Sequence, residues 1–105
     1  MTLSPRRAVL GLLFGLAASA HASPAPDPDL ARNLAATCTG CHGTDGHARP
    51  DATMPVLAGV PAPELMQKLR EFRSGTRPAT IMPQIAKGYS EAQLELIAAY
   101  FAARK

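Results

Sequence analysis

Cys38-Thr39-Gly40-Cys41-His42 constrains this chain more than any other stretch. Two thiols three positions apart, followed at once by an imidazole, form the attachment pattern of a c-type haem. On one helical turn both sulfurs can reach the two vinyl groups of a single porphyrin, and the adjacent imidazole is presented to its iron. Cys38 and Cys41 are therefore read as covalent anchors and His42 as the proximal axial ligand. Paired thiols serve other chemistries too. A structural zinc site needs about four ligands, and the chain holds two cysteines in all. A thioredoxin-like dithiol comes with a βαβ pattern, and the sequence shows none.

The first residues read as an export signal. Arg6 and Arg7 give a positive start, and Ala8 to Ala18 is an uncharged apolar run too short to span a bilayer comfortably. Ala20-His21-Ala22 supplies a small-x-small cleavage pattern, so residues 1–22 are expected to be a cleaved signal peptide and residues 23–105 the mature domain. Cleavage after Ala20 and an uncleaved membrane anchor are the alternatives. Ser4-Pro5-Arg6-Arg7 loosely resembles a twin-arginine signal, which has no evident use here because c-type haem is attached after export of an unfolded chain. The expected location is the periplasm, with no membrane span in the mature chain. In that oxidising space a lone cysteine pair would ordinarily be a disulfide. A CxxC disulfide closes too short a loop to stabilise much, whereas c-type attachment occurs in the same compartment.

Losing Arg6 and Arg7 takes eleven basic residues to nine against eight acids, a net charge of about +1. Two haem propionates would turn that slightly negative. Nucleic-acid binding would require a clustered basic patch, and none is present. Without residues 1–22 the chain keeps 83 of its 105 residues. That is one domain with a small core that usually needs a staple or a cofactor, and a porphyrin supplies apolar surface at its centre.

Strand signals are almost absent, and helical periodicity appears three times. The first run is Asp27 to Cys38, with Asp27 as N-cap, Pro28 at the first helical position and Leu30, Leu34 and Cys38 as a buried stripe at spacing four. The second is Ala62 to Ser74, with Leu65, Met66, Leu69 and Phe72 on one face and Gly75 as a left-handed C-cap. The third follows Ser90, which with Gln93 forms a capping box. It turns Leu94, Ile97, Tyr100 and Phe101 inward and ends in Arg104 and Lys105. Two long irregular segments remain, Gly43 to Pro61 and Thr76 to Tyr89. Structureless loops of that length ask for a function, and wrapping the two faces of a haem is one. A single CxxCH implies a single haem.

The iron's sixth ligand must come from His47, Met54, Met66 or Met82. His47 is tethered too closely to His42 to reach the opposite face. Met66 belongs to the apolar stripe of the second helix, where methionine ordinarily fills core space. Met54 precedes Pro55 on the His42 side. Met82 lies forty residues after His42, in the second irregular segment, far enough along to cross the porphyrin edge. The choice falls on Met82, with an ordinary apolar anchor as its plainer role. A metal-bound imidazole usually donates its other N–H to a carbonyl or carboxylate. The Pro55 region is placed to accept it, and Leu57 to pack on the ring. Arg49, Arg77 and Lys87 could meet propionates or be plain solvated charges.

Beyond these residues the chain resembles a known family. Cys38-Thr-Gly-Cys-His42-Gly-Thr-Asp-Gly46, then Pro55-x-Leu-x-Gly59, then a methionine in a late loop, resembles a class I c-type cytochrome. The segment Phe72 to Ser90, containing Ile81-Met82-Pro-Gln-Ile-Ala-Lys-Gly-Tyr-Ser90, followed by Ile97 to Ala102, is similar to the cytochrome subunit of flavocytochrome c sulfide dehydrogenase. The resemblance covers about residues 30–103. It implies a small all-α class I cytochrome c fold, with three main helices and long loops wrapped around one covalently bound haem c. It also implies attachment at Cys38 and Cys41, ligation by His42 and Met82, and a Pro55 carbonyl on His42. The implied partner is an FAD-containing subunit that oxidises sulfide and passes its electrons on. Pro83 directly after the ligand, and Met54 where a small or polar residue is expected, depart from the pattern and bear on loop geometry.

The expected function is thus one-electron transfer in the periplasm, with no substrate turned over on this chain. A diffusible carrier serving oxidases or other dehydrogenases is the alternative to the dehydrogenase subunit. A peroxidase-type haem enzyme with an open sixth position is the rival from another class.

Overall fold

A computed structural model describes residues 27–105. The proposed signal peptide and both cleavage points lie outside the described residues. Among these residues the regular structure is entirely helical: α1 Leu30–His42, α2 Ala62–Ser74, α3 Met82–Lys87 and α4 Glu91–Ala102, with one 3-10 turn at Thr44–Gly46 after α1. None of these helices is long and apolar enough to cross a membrane.

Two of the three expected helices form where the pattern places them. α2 runs from Ala62 to Ser74, starts with a proline in its first turn, and stops at Gly75 in the left-handed conformation (φ 82°). α4 opens on the expected box: Ser90 Oγ accepts from Gln93 N at 3.2 Å, and Gln93 Oε1 accepts from Ser90 N at 2.9 Å. Two orphan N–H groups are satisfied at once, which fixes the entry of the helix.

α1 differs at its start. Asp27 does not cap the helix; its carboxylate accepts the Asp29 N–H at 2.8 Å, and helical structure begins only at Leu30. The short Asp side chain prefers this local turn two residues ahead over the helical cap. The stripe is turned as well. Leu30 is exposed and Leu34 and Cys38 are half-buried, while the neighbouring Ala35 is fully buried. Ala35 and Ala98 both lie in the core where α1 packs against α4, and side chains this small let two backbones come close.

The second irregular segment is not structureless. It contains α3, whose first residue is Met82. Pro83 is no disruption there, since the first turn of a helix needs no N–H from it. Six residues are too few to show a helical period, so the repeat that reveals the other helices is absent here.

The core joins Ala35 of α1, Leu65 and Met66 of α2, and Leu94, Ile97, Ala98 and Phe101 of α4. Leu94 and Phe101 are its largest fully buried side chains. At about 1.5–3 kcal/mol for each large side chain buried, this is a thin core, as a domain of this length requires. At the surface, Glu91 of α4 accepts from both Arg70 and Arg73 of α2. Those two guanidinium groups, Arg70 first, hold the Glu91 carboxyl below the usual carboxylate range.

Candidate haem-binding site

The last turn of α1 carries both thiols, and His42 is its final residue. Cys38 is half-buried and Cys41 exposed, and the two are not joined to each other. Burial pushes the Cys38 thiol above its ordinary range, against an opposing hydrogen bond from Thr37. A redox dithiol depends on a lowered thiol value, so this environment does not suit one. Zinc fares no better: among the described residues no three His, Cys, Asp or Glu side chains come together.

After His42 the chain reverses twice. Gly43 has φ 86°, and a Cβ there would stand 2.0 Å from the His47 carbonyl oxygen. Gly46 has φ 80°, is buried, and a Cβ would meet Phe101 Cδ1 at 2.7 Å and Ala58 N at 2.8 Å. Only glycine serves at either place. With the backbone turned, the Gly46 carbonyl accepts from Leu57 N at 2.9 Å and from Ala58 N at 3.1 Å, and Gly59 N donates to Phe101 O at 2.9 Å. These bonds fold the 47–60 segment back beside α1 and bring Pro55 to His42.

His42 Nδ1 lies 2.8 Å from the Pro55 carbonyl oxygen. A carbonyl can only accept, so Nδ1 carries the hydrogen, and in the neutral imidazole Nε2 keeps its lone pair. That is the tautomer an axial imidazole needs, already oriented by its partner. Leu57 is half-buried and packs against the core.

On the other side of α2, Met82 is half-buried at the start of α3. Met66 lies in the core at 6% exposure and is committed to packing. His47 and Met54 are exposed. Arg77 donates to Glu71 at 2.7 Å, Arg49 sits 3.4 Å from Asp51 with both side chains in solvent, and Lys87 is exposed.

The residues fit a covalent porphyrin. Two unjoined thiols stand on one turn beside an imidazole with its Nε2 lone pair available. Of the exposed large apolar side chains among the described residues, four fall in two short runs, Met54 and Val56 beside Pro55 and Ile81 and Ile85 around Met82, with Leu30 and Leu96 elsewhere. Apolar surface concentrated in this way marks a ligand or partner site.

Several residues that hold the site together escaped the sequence reading. The Tyr100 hydroxyl donates to Asp45 Oδ1 at 2.5 Å, and the Thr37 and Tyr89 hydroxyls share a hydrogen bond, also at 2.5 Å. Tyr100 reads as one more inward aromatic of α4, and nothing in the sequence pairs it with a residue 55 positions away.

A helical domain with CxxCH closing its first helix is a c-type haem protein, and the Cytochrome c family pattern matches it over residues 28–104. The chain belongs to the cytochrome c family, as a class I c-type cytochrome that carries covalently bound haem c. It is 38% identical over 98 residues to a thiosulfate dehydrogenase electron acceptor of Thiomonas intermedia, covering 93% of this chain and 42% of that protein. It is 38% identical over 68 residues to the cytochrome subunit of sulfide dehydrogenase of Chlorobaculum tepidum, covering 65% and 60%. Cytochrome c4 of Acidithiobacillus ferrooxidans superposes with a TM-score of 0.62 at 34% identity, over 70% of this chain and 48% of that one. The chain thus spans about half the length of the relatives it matches.

Proposed function

We propose that this cytochrome is a periplasmic electron acceptor for a dehydrogenase of reduced sulfur compounds, with an FAD-containing sulfide dehydrogenase subunit as the leading partner. Two relatives support the partner class, one named for thiosulfate and one for sulfide dehydrogenase. The export reading of residues 1–22 supports the compartment.

The observation that carries the electron-transfer site is the His42–Pro55 hydrogen bond. Cys38 and Cys41 would hold the haem covalently, and His42 Nε2 and Met82 Sδ would ligate its iron. Haem c supplies an iron that changes by one electron between Fe(III) and Fe(II). The protein orients His42 through Pro55, shields the faces with Val56, Leu57, Ile81 and Ile85, and leaves no coordination position open for a substrate. A thioether favours Fe(II) and raises the potential. No substrate is turned over on this chain.

The ferric holoprotein should show a weak sulfur-to-iron charge-transfer band at the red edge of the visible spectrum, and Met82→Ala should abolish it. A six-coordinate spectrum unchanged in Met82→Ala would mean that another residue holds the sixth position. For the partner, affinity-tagged holoprotein in its native host should retain a flavoprotein; a chain that always purifies alone supports the diffusible carrier instead.

A further inference from the structure

We propose that Tyr100 is a positioning residue for the axial imidazole, acting through Asp45 and the Thr44–Gly46 turn on the Pro55 carbonyl. The inference rests on His42 ligating the iron. Tyr100 Oη donates to Asp45 Oδ1 at 2.5 Å. Asp45 is the one non-glycine residue with positive φ (54°) among the described residues. Such a conformation costs about 1–2 kcal/mol and persists where surrounding contacts over-determine it. The adjacent Gly46 carbonyl takes the N–H groups of Leu57 and Ala58, two and three residues past Pro55. Pro55 in turn accepts from His42.

A second tie follows on the other side of Pro55, from Gly59 N to Phe101 O at 2.9 Å. Successive residues of α4 therefore grip the segment through the turn before Pro55 and through the backbone after it. The Arg104 guanidinium lies 4.1 Å from the centre of the Tyr100 ring and holds that ring in place. Pull by the Pro55 carbonyl on the Nδ1 hydrogen makes the imidazole a stronger donor, which favours Fe(III) and lowers the potential.

The test uses ferric and ferrous holoprotein. Tyr100→Phe keeps the ring under Arg104 and deletes only the hydroxyl. Exchange of the His42 Nδ1 hydrogen with solvent, followed by NMR, should quicken roughly tenfold, as loss of a charge-assisted bond implies, and the potential should rise. Asp45→Ala should do the same, while Asp45→Asn, which keeps an accepting oxygen but loses its charge, should fall between that variant and wild type. Glu91→Gln loosens the α2–α4 clasp away from this path and should leave both readouts unmoved. Wild-type exchange and potential in Tyr100→Phe would overturn the proposal, as would an equal shift in Glu91→Gln. Ring protons of His42 without iron-induced shifts in the wild-type ferric protein would instead remove the ligation reading beneath it.

Discussion

The two irregular segments flanking α2, which under the proposed ligation would face the haem, are held in different ways. The His42 side, residues 43–61, is held to distant parts of the fold. Its turn is closed by Gly46 N to Gly43 O, its return is bound to Gly46 O, and α4 grips it through Tyr100 and Phe101. The Met82 side, residues 76–89, makes its hydrogen bonds mainly to near neighbours, while α3 packs on α2 with Ala86 fully buried. Arg77 N bonds Glu71 O, Gln84 N and Ile85 N bond Ile81 O, and one longer tie joins Tyr89 to Thr37. The imidazole is therefore oriented by protein alone, whereas the thioether is carried on a short helix with Ile81 and Ile85 uncovered. The imidazole is thus held through bonds to α4 and the Gly46 turn, and Met82 through α3 and its packing on α2.

Glycine substitutions probe that contrast most strongly. Gly46→Ala meets a positive φ, with the Phe101 ring and the Ala58 backbone N both within 3 Å of the added Cβ. It should cost about 3 kcal/mol, roughly 10–20 °C in the melting temperature of the holoprotein. A melt within 3 °C of wild type would show that the His42 side yields as readily as the other, and the contrast would be gone. Met82→Ala comes next: the charge-transfer band should vanish while helical circular dichroism persists, because Met82 is only half-buried. Collapse of the fold in that variant would show that the Met82 side is structural after all.

Gly75→Ala also faces a positive φ, but an added Cβ meets nothing within 4 Å. Its cost should be about 1 kcal/mol, the conformational strain alone, and denaturant melts should rank it well below Gly46→Ala. The smallest effect concerns neither segment. With the folded Glu91 carboxyl below its unfolded value, the stability it adds is fully present above the unfolded value and lost as pH falls through the folded one. The melting temperature of the wild type should therefore drop more steeply than that of Glu91→Gln as pH falls through and below the ordinary glutamate range. Parallel curves would remove Glu91 from the acid response.

Legibility followed the range of the interactions. α2 with its Gly75 stop and α4 with its Ser90–Gln93 box were readable because caps and helical periods act within a few residues. α3 was not, being too short to repeat and continuous with what looked like loop. The first helix was misread at Asp27, where two local hydrogen-bonding choices compete and the sequence does not say which wins. The segment containing Pro55 could be assigned to the His42 side, but the 2.8 Å contact itself depends on how Gly46 meets Phe101 and Ala58.

The amino-acid order by itself determined the covalent chemistry: two thiols and an imidazole on one turn form one attachment unit whatever surrounds them. It also determined the all-helical class, through apolar spacing and capping. Only the tertiary structure decided which nitrogen of His42 meets the Pro55 carbonyl, and that Tyr100 answers Asp45. Those outcomes depend on backbone segments that meet across tens of residues, and no local propensity encodes such a meeting.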